Sequence, residues 1–311
     1  MAKNSVLKTA LTVGGHVIEL SHLDKILFPK DGITKYDVVT YYAKIAATMM
    51  PYSKNRPISM LRYPDAIDHE GFYQKNAGAY FPEWITLKPL ETEGGKLVHY
   101  VVVDKKATLI YLANQLCLTP HIWLSKIDKL DYPDRMIFDL DPSGKTFDFN
   151  QIRQTAFAFK ELLEHIGLVP YVMTTGSRGM HIVVPLKRTE NFDTVRAFAY
   201  DIASYIQKHD PNNLTLEIRK DKRGKKIFLD YLRNAYSATS VAPYAIRAKD
   251  GAPVATPIDW KEVEDSKLVS TRYTIFSVFD RLKKQGDPWK DISKNARLLS
   301  KAMKIFKGLV G

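Results

Sequence analysis

The chain has 311 residues, with 46 Lys and Arg against 34 Asp and Glu, a formal charge of +12. Hydrophobic residues at 45% and charged residues at 26% are ordinary for a folded domain and exclude a disordered, collagen-like or low-complexity chain. The single cysteine, Cys117, excludes an internal disulfide framework or a zinc site built from several cysteines, and no apolar run approaches the roughly 18 residues that span a bilayer.

Taken in chain order, 34–50 place Tyr36, Val39, Tyr42, Ile45, Ala46 and Met49 mostly three and four residues apart after Thr34, which predicts a helix with Thr34 as its cap. Residues 98–103 read as a strand, and 105–118 as a helix that Pro120 ends. The segment 136–142 is a short strand, and Asp148 is placed to cap a helix reaching Ile166. Residues 171–176 and 179–186 predict a hairpin closed by a glycine-containing turn. A helix over 192–208 follows, then strands over 214–218, 226–232 and 241–248, and a basic helical tail beyond Thr271. The run Arg219, Lys220, Lys222, Arg223, Lys225 and Lys226 reads as a solvated hairpin loop. The 16 Gly and 16 Pro are scattered and no repeat or linker breaks the chain, so one continuous α+β domain over 1–311, built on a mixed β-sheet with flanking helices, is expected.

Three segments carry chemistry. In 136–142, Asp139 and Asp141 alternate with Phe138 and Leu140, so a strand places both carboxylates on one face. Two such carboxylates repel unless cations neutralise them, and oxygen ligands of this kind suit magnesium or manganese. Alone, the triplet reads rather as the acidic end of a strand leading into the turn at 142–144, because such triplets are common in loops. In 174–179, Thr174, Thr175, Ser177 and Arg178 stand among glycines, a composition that can cradle phosphate or simply turn a hairpin. His181 follows on an apolar strand, and Asp230 stands inside another, where burial requires a partner such as Arg233 or Arg223, or a metal.

In order, Phe138-Asp139-Leu140-Asp141-Pro142, Thr175-Gly176-Ser177-Arg178-Gly179-Met180-His181 and Phe228-Leu229-Asp230 resemble the three motifs of the archaeo-eukaryotic primase superfamily. More narrowly, they resemble the polymerase domain of bacterial DNA ligase D, and 23–29, 71–76 and 241–244 extend the resemblance to most of the chain. It implies a metal triad of Asp139, Asp141 and Asp230 holding two divalent ions, Mn2+ or Mg2+. It also implies a nucleoside triphosphate held by His121, Thr175, Arg178, His181 and Arg247, with Ser177 and Arg233 expected beside them. Lys25 and Lys35 would take the 5′-phosphate of a gapped or broken duplex, with His22 beside them where the family pattern has Asn. Phe72 and Tyr73 would stack on template bases, with Arg62 and Arg223 on the DNA path.

The expected activity is template-directed nucleotidyl transfer that extends 3′-OH ends at gaps and double-strand breaks in non-homologous end joining, in a cytoplasmic, nucleoid-associated monomer that prefers ribonucleotides. A primase that starts strands de novo and a non-catalytic DNA-end clamp are the alternatives. No Lys-x-Asp-Gly ligase motif is present, so Ku and a separate ligase domain or protein are partners expected by analogy, and no membrane is.

Overall fold

Thr34 starts the first long helix, α1 (Lys35–Ser53), as its sequence position predicts. Its hydroxyl accepts the Asp37 N–H while the Asp37 carboxylate accepts the Thr34 N–H at 2.9 Å, a reciprocal cap that satisfies two donors a helix start leaves open. Val39, Tyr42, Ile45, Ala46 and Met49 face the interior, whereas Tyr36 is exposed. The computed structural model describes residues 9–91, 95–144 and 146–311. It divides the chain into two compact units: the first reaches Ile122 and takes back 241–254 and 274–276, and the second holds 123–240, 255–273 and 277–311.

In the first unit β1 (Thr9–Val13) and β2 (His16–Leu20) pair through Gly14 and Gly15, both at positive φ. A second small hairpin, β3 (Ile26–Phe28) and β4 (Ile33–Thr34), turns at Gly32 and feeds directly into α1. The larger sheet uses β5 (Arg56–Arg62), β6 (Phe72–Gln74), β7 (Leu87–Glu91), β8 (Leu97–Val103) and β9 (Cys117–Trp123). Its order is β9-β5-β8-β7, with β6 pairing the Met60–Arg62 end of β5. Helix α2 (Lys106–Asn114) is buried along nearly its whole length. The returning segment is tied in by hydroxyls: Tyr41 donates to the Tyr244 carbonyl at 2.8 Å and Thr119 to the Ile246 carbonyl at 2.6 Å.

The second unit contains β10 (Arg135–Pro142), α3 (Phe149–His165), β11 (Tyr171–Thr174), β12 (Met180–Pro185), α4 (Phe192–His209), β13 (Leu214–Thr215) and β14 (Ile227–Asp230). After the short β15 (Thr239–Val241), where the chain passes back to the first unit, come β16 (Thr256–Ile258), α5 (Trp260–Glu264), α6 (Ser277–Gln285) and α7 (Leu299–Val310). The sheet order β13-β14-β10-β12-β11-β16 puts β10 in the interior, antiparallel to both neighbours. Phe138 and Leu140 join the apolar core with Ile152, Phe159, Phe198 and Ile202 from α3 and α4. Period-two alternation therefore turns Asp139 and Asp141 to the opposite face. The fold is a mixed α+β architecture, as the sequence predicts, and no described helix is long and apolar enough to cross a membrane.

Four local expectations are corrected. The helix expected over 105–118 stops at Asn114, Leu116 turns the chain at φ 62°, and Pro120 lies inside strand β9 rather than ending a helix. The strand expected over 241–248 is mostly turn, because Tyr244 adopts φ 66°. Of 214–218 only Leu214–Thr215 is strand, and it pairs in parallel with β14; the basic run between them is therefore a crossover and not a hairpin loop. The basic tail is two separate helices, α6 and α7, and one of its cations, Arg281, is buried against Glu262.

Candidate active site

Register across three strands builds the centre of the second unit. Asp139 on β10 lies directly opposite Asp230 on β14 and His181 on β12, while Asp141 lies opposite Phe228. Each carboxylate has a cationic or imidazole neighbour. His181 Nε2 is 3.4 Å from Asp139 Oδ2, Arg233 Nε is 3.2 Å from Asp230 Oδ2, and Arg223 Nη1 is 3.6 Å from Asp141 Oδ2. The Leu232 N–H also donates to Asp230 Oδ1 at 2.8 Å, and the Ser240 hydroxyl stands 3.4 Å from His181 Nδ1.

These neighbours do not restore ordinary acidity. Burial, with Asp139 nearby, raises the Asp141 carboxyl pKa although Arg178, Arg223 and Lys220 oppose it. Burial likewise raises that of Asp230, against Arg233, with Asp139 adding to the rise. Crowded, partly desolvated carboxylates of this kind would be relieved by a divalent cation. Their oxygen-only donor set fits Mg2+ or Mn2+. Among the described residues no group of three or more His, Cys, Asp or Glu side chains is drawn together as a ligand cage; the carboxylates engage Arg233, Arg223 and His181 instead.

The turn after β11 is held against the same strand. A Cβ on Gly179 would fall 1.9 Å from the Leu140 carbonyl oxygen, so only glycine admits this approach. The Thr175 hydroxyl donates to the Gly179 carbonyl at 3.1 Å, and Ser270 Oγ donates to that carbonyl at 2.8 Å while accepting the Ser177 N–H at 3.2 Å. Arg178 Nη2 donates to the Pro142 carbonyl at 2.7 Å and also to that of Gly144, with the guanidinium carbon 5.0 Å from the centre of the Phe147 ring. Asp139, Asp141, Asp230, Thr175, Ser177, Arg178, His181, Arg223 and Arg233 thus all belong to the second unit. Ser270, 91 residues from Gly179, is the organiser that sequence reasoning missed; nothing near it in the chain marks it.

Arg223 is not on a solvated loop. It is 7% exposed, lies 3.7 Å over the Phe228 ring, and donates to the Glu217 and Ile218 carbonyls at 2.8 and 2.7 Å. The expectation of a solvated loop is therefore corrected at this residue: the guanidinium engages these carbonyls and lies 3.6 Å from Asp141 Oδ2. Lys220 and Lys222 of the same run are exposed.

The other site residues belong to the first unit. Lys35 is 3% exposed and donates to the Ser21 carbonyl at 2.7 Å. Burial, reinforced by the Lys25 ammonium, lowers its pKa to about 8. Lys25 donates to the Pro64 carbonyl and lies 3.5 Å from Asp65. The Lys35 N–H bonds the Lys25 carbonyl at 2.8 Å, and the Lys25 N–H bonds that of His22, which is exposed and at φ 51°. Two ammonium groups are thereby gathered at the start of α1, where the helix dipole also favours an anion although the Lys35, Tyr36 and Asp37 N–H groups are already bonded. Phe72 and Tyr73 on β6 are both exposed, and Tyr73 makes an edge contact at 5.3 Å with His121, which is buried. Arg62 faces Phe72 across the β5–β6 pair. Arg247 is half-buried, its N–H bonded to the Pro253 carbonyl.

The family model described as LigD, primase-polymerase domain, matches residues 34–289. The bifunctional non-homologous end joining protein LigD of Bacillus subtilis is 34% identical over 279 residues, 89% of this chain and 44% of that protein. The multifunctional protein LigD of Mycolicibacterium smegmatis is 30% identical over 286 residues, 91% of this chain and 37% of that protein. The chain therefore spans less than half the length of these relatives. A solved structure, the polymerase domain from Mycobacterium tuberculosis Ligase D in complex with DNA, superposes with a TM-score of 0.83 at 28% identity, covering 89% of this chain and 98% of that one. With the motif order, the strand register and these matches in agreement, the chain belongs to the LigD primase–polymerase domain family.

Proposed function

We propose that the chain is a DNA-repair nucleotidyltransferase that extends 3′-OH ends on a template at gaps and double-strand breaks, its two units serving as one primase–polymerase domain. The observation that carries this is the row Asp230–Asp139–His181 across three strands, with Asp141 two residues along the same face and the Thr175–Gly179 turn packed on Leu140. Asp139, Asp141 and Asp230 would hold Mg2+ or Mn2+ in a two-ion arrangement. Bound there, the ions supply Lewis acidity to the attacking hydroxyl and charge neutralisation to the phosphates.

The chain's own residues bind and orient. Arg178, pinned by two carbonyls beside Asp141, offers a cation of fixed position to the triphosphate. Thr175 and Ser270 keep the turn closed, which would hold the Ser177 hydroxyl and Arg178 in place for anionic oxygens. Arg233 balances the charge of Asp230 and His181 lies against Asp139, and the resemblance assigns His181, His121 and Arg247 to the nucleotide as well. Lys25 and Lys35 are read as the grip on a 5′-phosphate, with His22 beside them, and Phe72 and Tyr73 as the surface for template bases. Ribonucleotide preference, Ku and a ligase as partners, and nucleoid association follow from kinship with end-joining proteins.

The test is incorporation on a gapped duplex carrying a 5′-phosphate. Asp139→Ala, Asp141→Ala and Asp230→Ala should each abolish incorporation while leaving DNA binding largely intact. Near-normal incorporation by any of them would overturn the triad. Equal use of 5′-phosphate and 5′-hydroxyl gaps by the unmutated protein at low salt would refute the end-gripping part.

A further inference from the structure

Tyr80, which no motif marks, is 58% exposed yet held on three sides. A Cβ on Gly78 would meet its ring at 2.2 Å, so the ring lies on a bare glycine backbone. Phe81 packs on it edge-on with centroids 5.0 Å apart, and its hydroxyl accepts an Arg62 Nη1 hydrogen bond at 2.8 Å. The same Arg62 nitrogen donates to Gln74 Oε1 at 2.6 Å, and Arg62 Nε to the Gln115 carbonyl at 2.8 Å. The guanidinium carbon stands 5.7 Å from the centre of the Phe72 ring. One anchored cation therefore joins two exposed aromatic rings.

Tyr73 is not part of this group, since it alternates to the other face and meets His121. An exposed aromatic ring gains little from burial, and fixing it costs rotamer freedom. Such rings bracketing a guanidinium match the way unpaired bases are held, by stacking on aromatic faces and on Arg, with the positive charge complementary to the linking phosphate.

We propose that Tyr80, oriented by Arg62 and Gly78, is a second stacking surface that takes the unpaired template base next to the one on Phe72. This rests on the reading of Phe72 as a template-stacking residue. Arg62 acts through both rings and is a positioning residue.

The test uses 5′-phosphorylated duplexes that are nicked or gapped by four nucleotides, with affinity read by fluorescence anisotropy at fixed salt. It adds 2-aminopurine placed at the first or the second unpaired template position. Tyr80→Leu should weaken binding of the four-nucleotide gap about tenfold, without changing binding of the nick, and should relieve 2-aminopurine quenching at one position only. Tyr80→Phe, which keeps the ring, should retain the quenching, and Arg62→Ala should relieve it at both positions. Unchanged gap affinity in Tyr80→Leu, or no quenching beyond a single position with the unmutated protein, overturns the proposal. Phe72→Leu separates the failures. If it weakens gap binding and Tyr80→Leu does not, the second surface alone is wrong; if neither does, template stacking on Phe72 falls with it.

Discussion

Burial makes the charge of Lys35 conditional, which gives the 5′-phosphate reading a test with a definite sign. With its pKa lowered to about 8, by burial first and the Lys25 ammonium second, Lys35 is about nine-tenths protonated at pH 7 and about one-tenth at pH 9. A terminal phosphate, with a second pKa near 6, is already dianionic across that range. The titratable groups of the surrounding segments are Lys25 with its partner Asp65, His22 and Asp24 in the preceding turn, and Asp37, which is committed to capping Thr34. An arriving dianion favours the protonated lysine, so binding above pH 8 takes up a proton. Affinity for phosphorylated gaps should hold below pH 8 and fall, about tenfold between pH 7 and pH 9, whereas affinity for 5′-hydroxyl gaps stays level. The assay is the ratio of the two dissociation constants from pH 7 to 9.5 at constant ionic strength. Lys35→Arg, whose guanidinium stays charged throughout, should flatten the ratio. A constant ratio in the unmutated protein, or an equal fall in Lys35→Arg, would refute the reasoning.

Arg233 is the cation that chiefly opposes the rise in the Asp230 carboxyl pKa; removing it in Arg233→Ala should raise that pKa further. Asp230 then protonates at higher pH as the solution is acidified, and a pH–rate profile of incorporation should show the acid limb displaced upward; an unmoved limb would separate Arg233 from the carboxylate. Gly179→Ala places a Cβ 1.9 Å from the Leu140 carbonyl oxygen, which backbone movement must relieve at about 3 kcal/mol. Urea unfolding should show that loss together with reduced nucleotide affinity, and near-unmutated stability would mean the turn does not pack on β10 as described.

The long amphipathic elements were legible because their signals are local. Thr34 and Asp148 cap the helices they were expected to cap, and alternation in 136–142 puts both aspartates on one face of β10. Expectations failed where long-range pairing overrides a local preference. Pro120 marks a helix end in the sequence, yet it sits opposite Met60 in β9, and its carbonyl accepts the Ala242 N–H at 3.0 Å. The 241–248 run is apolar enough for a strand, but Tyr41 and Thr119 draw the Tyr244 and Ile246 carbonyls out of any ladder. Propensity is a weak prior against contacts of this kind.

Burial of charge is the property that sequence conceals most completely in this site. Arg223 stands in a run of basic residues that are alike in the sequence, most of which are exposed. The difference arises because β13 and β14 pair in parallel, which requires the intervening chain to cross back instead of turning tightly. In doing so it lays Arg223 on Phe228, the residue directly opposite Asp141 in the β10–β14 register. The position of the carboxylate thus selects which cation is enclosed: burying an arginine without an anion and carbonyl acceptors would be costly, and only Arg223 finds all three, in Asp141, Glu217 and Ile218. Lys35 follows the same logic with the opposite balance. Its carbonyl partner is in place at Ser21, but its charged neighbour is another cation, so burial and repulsion both push its ammonium toward the neutral form.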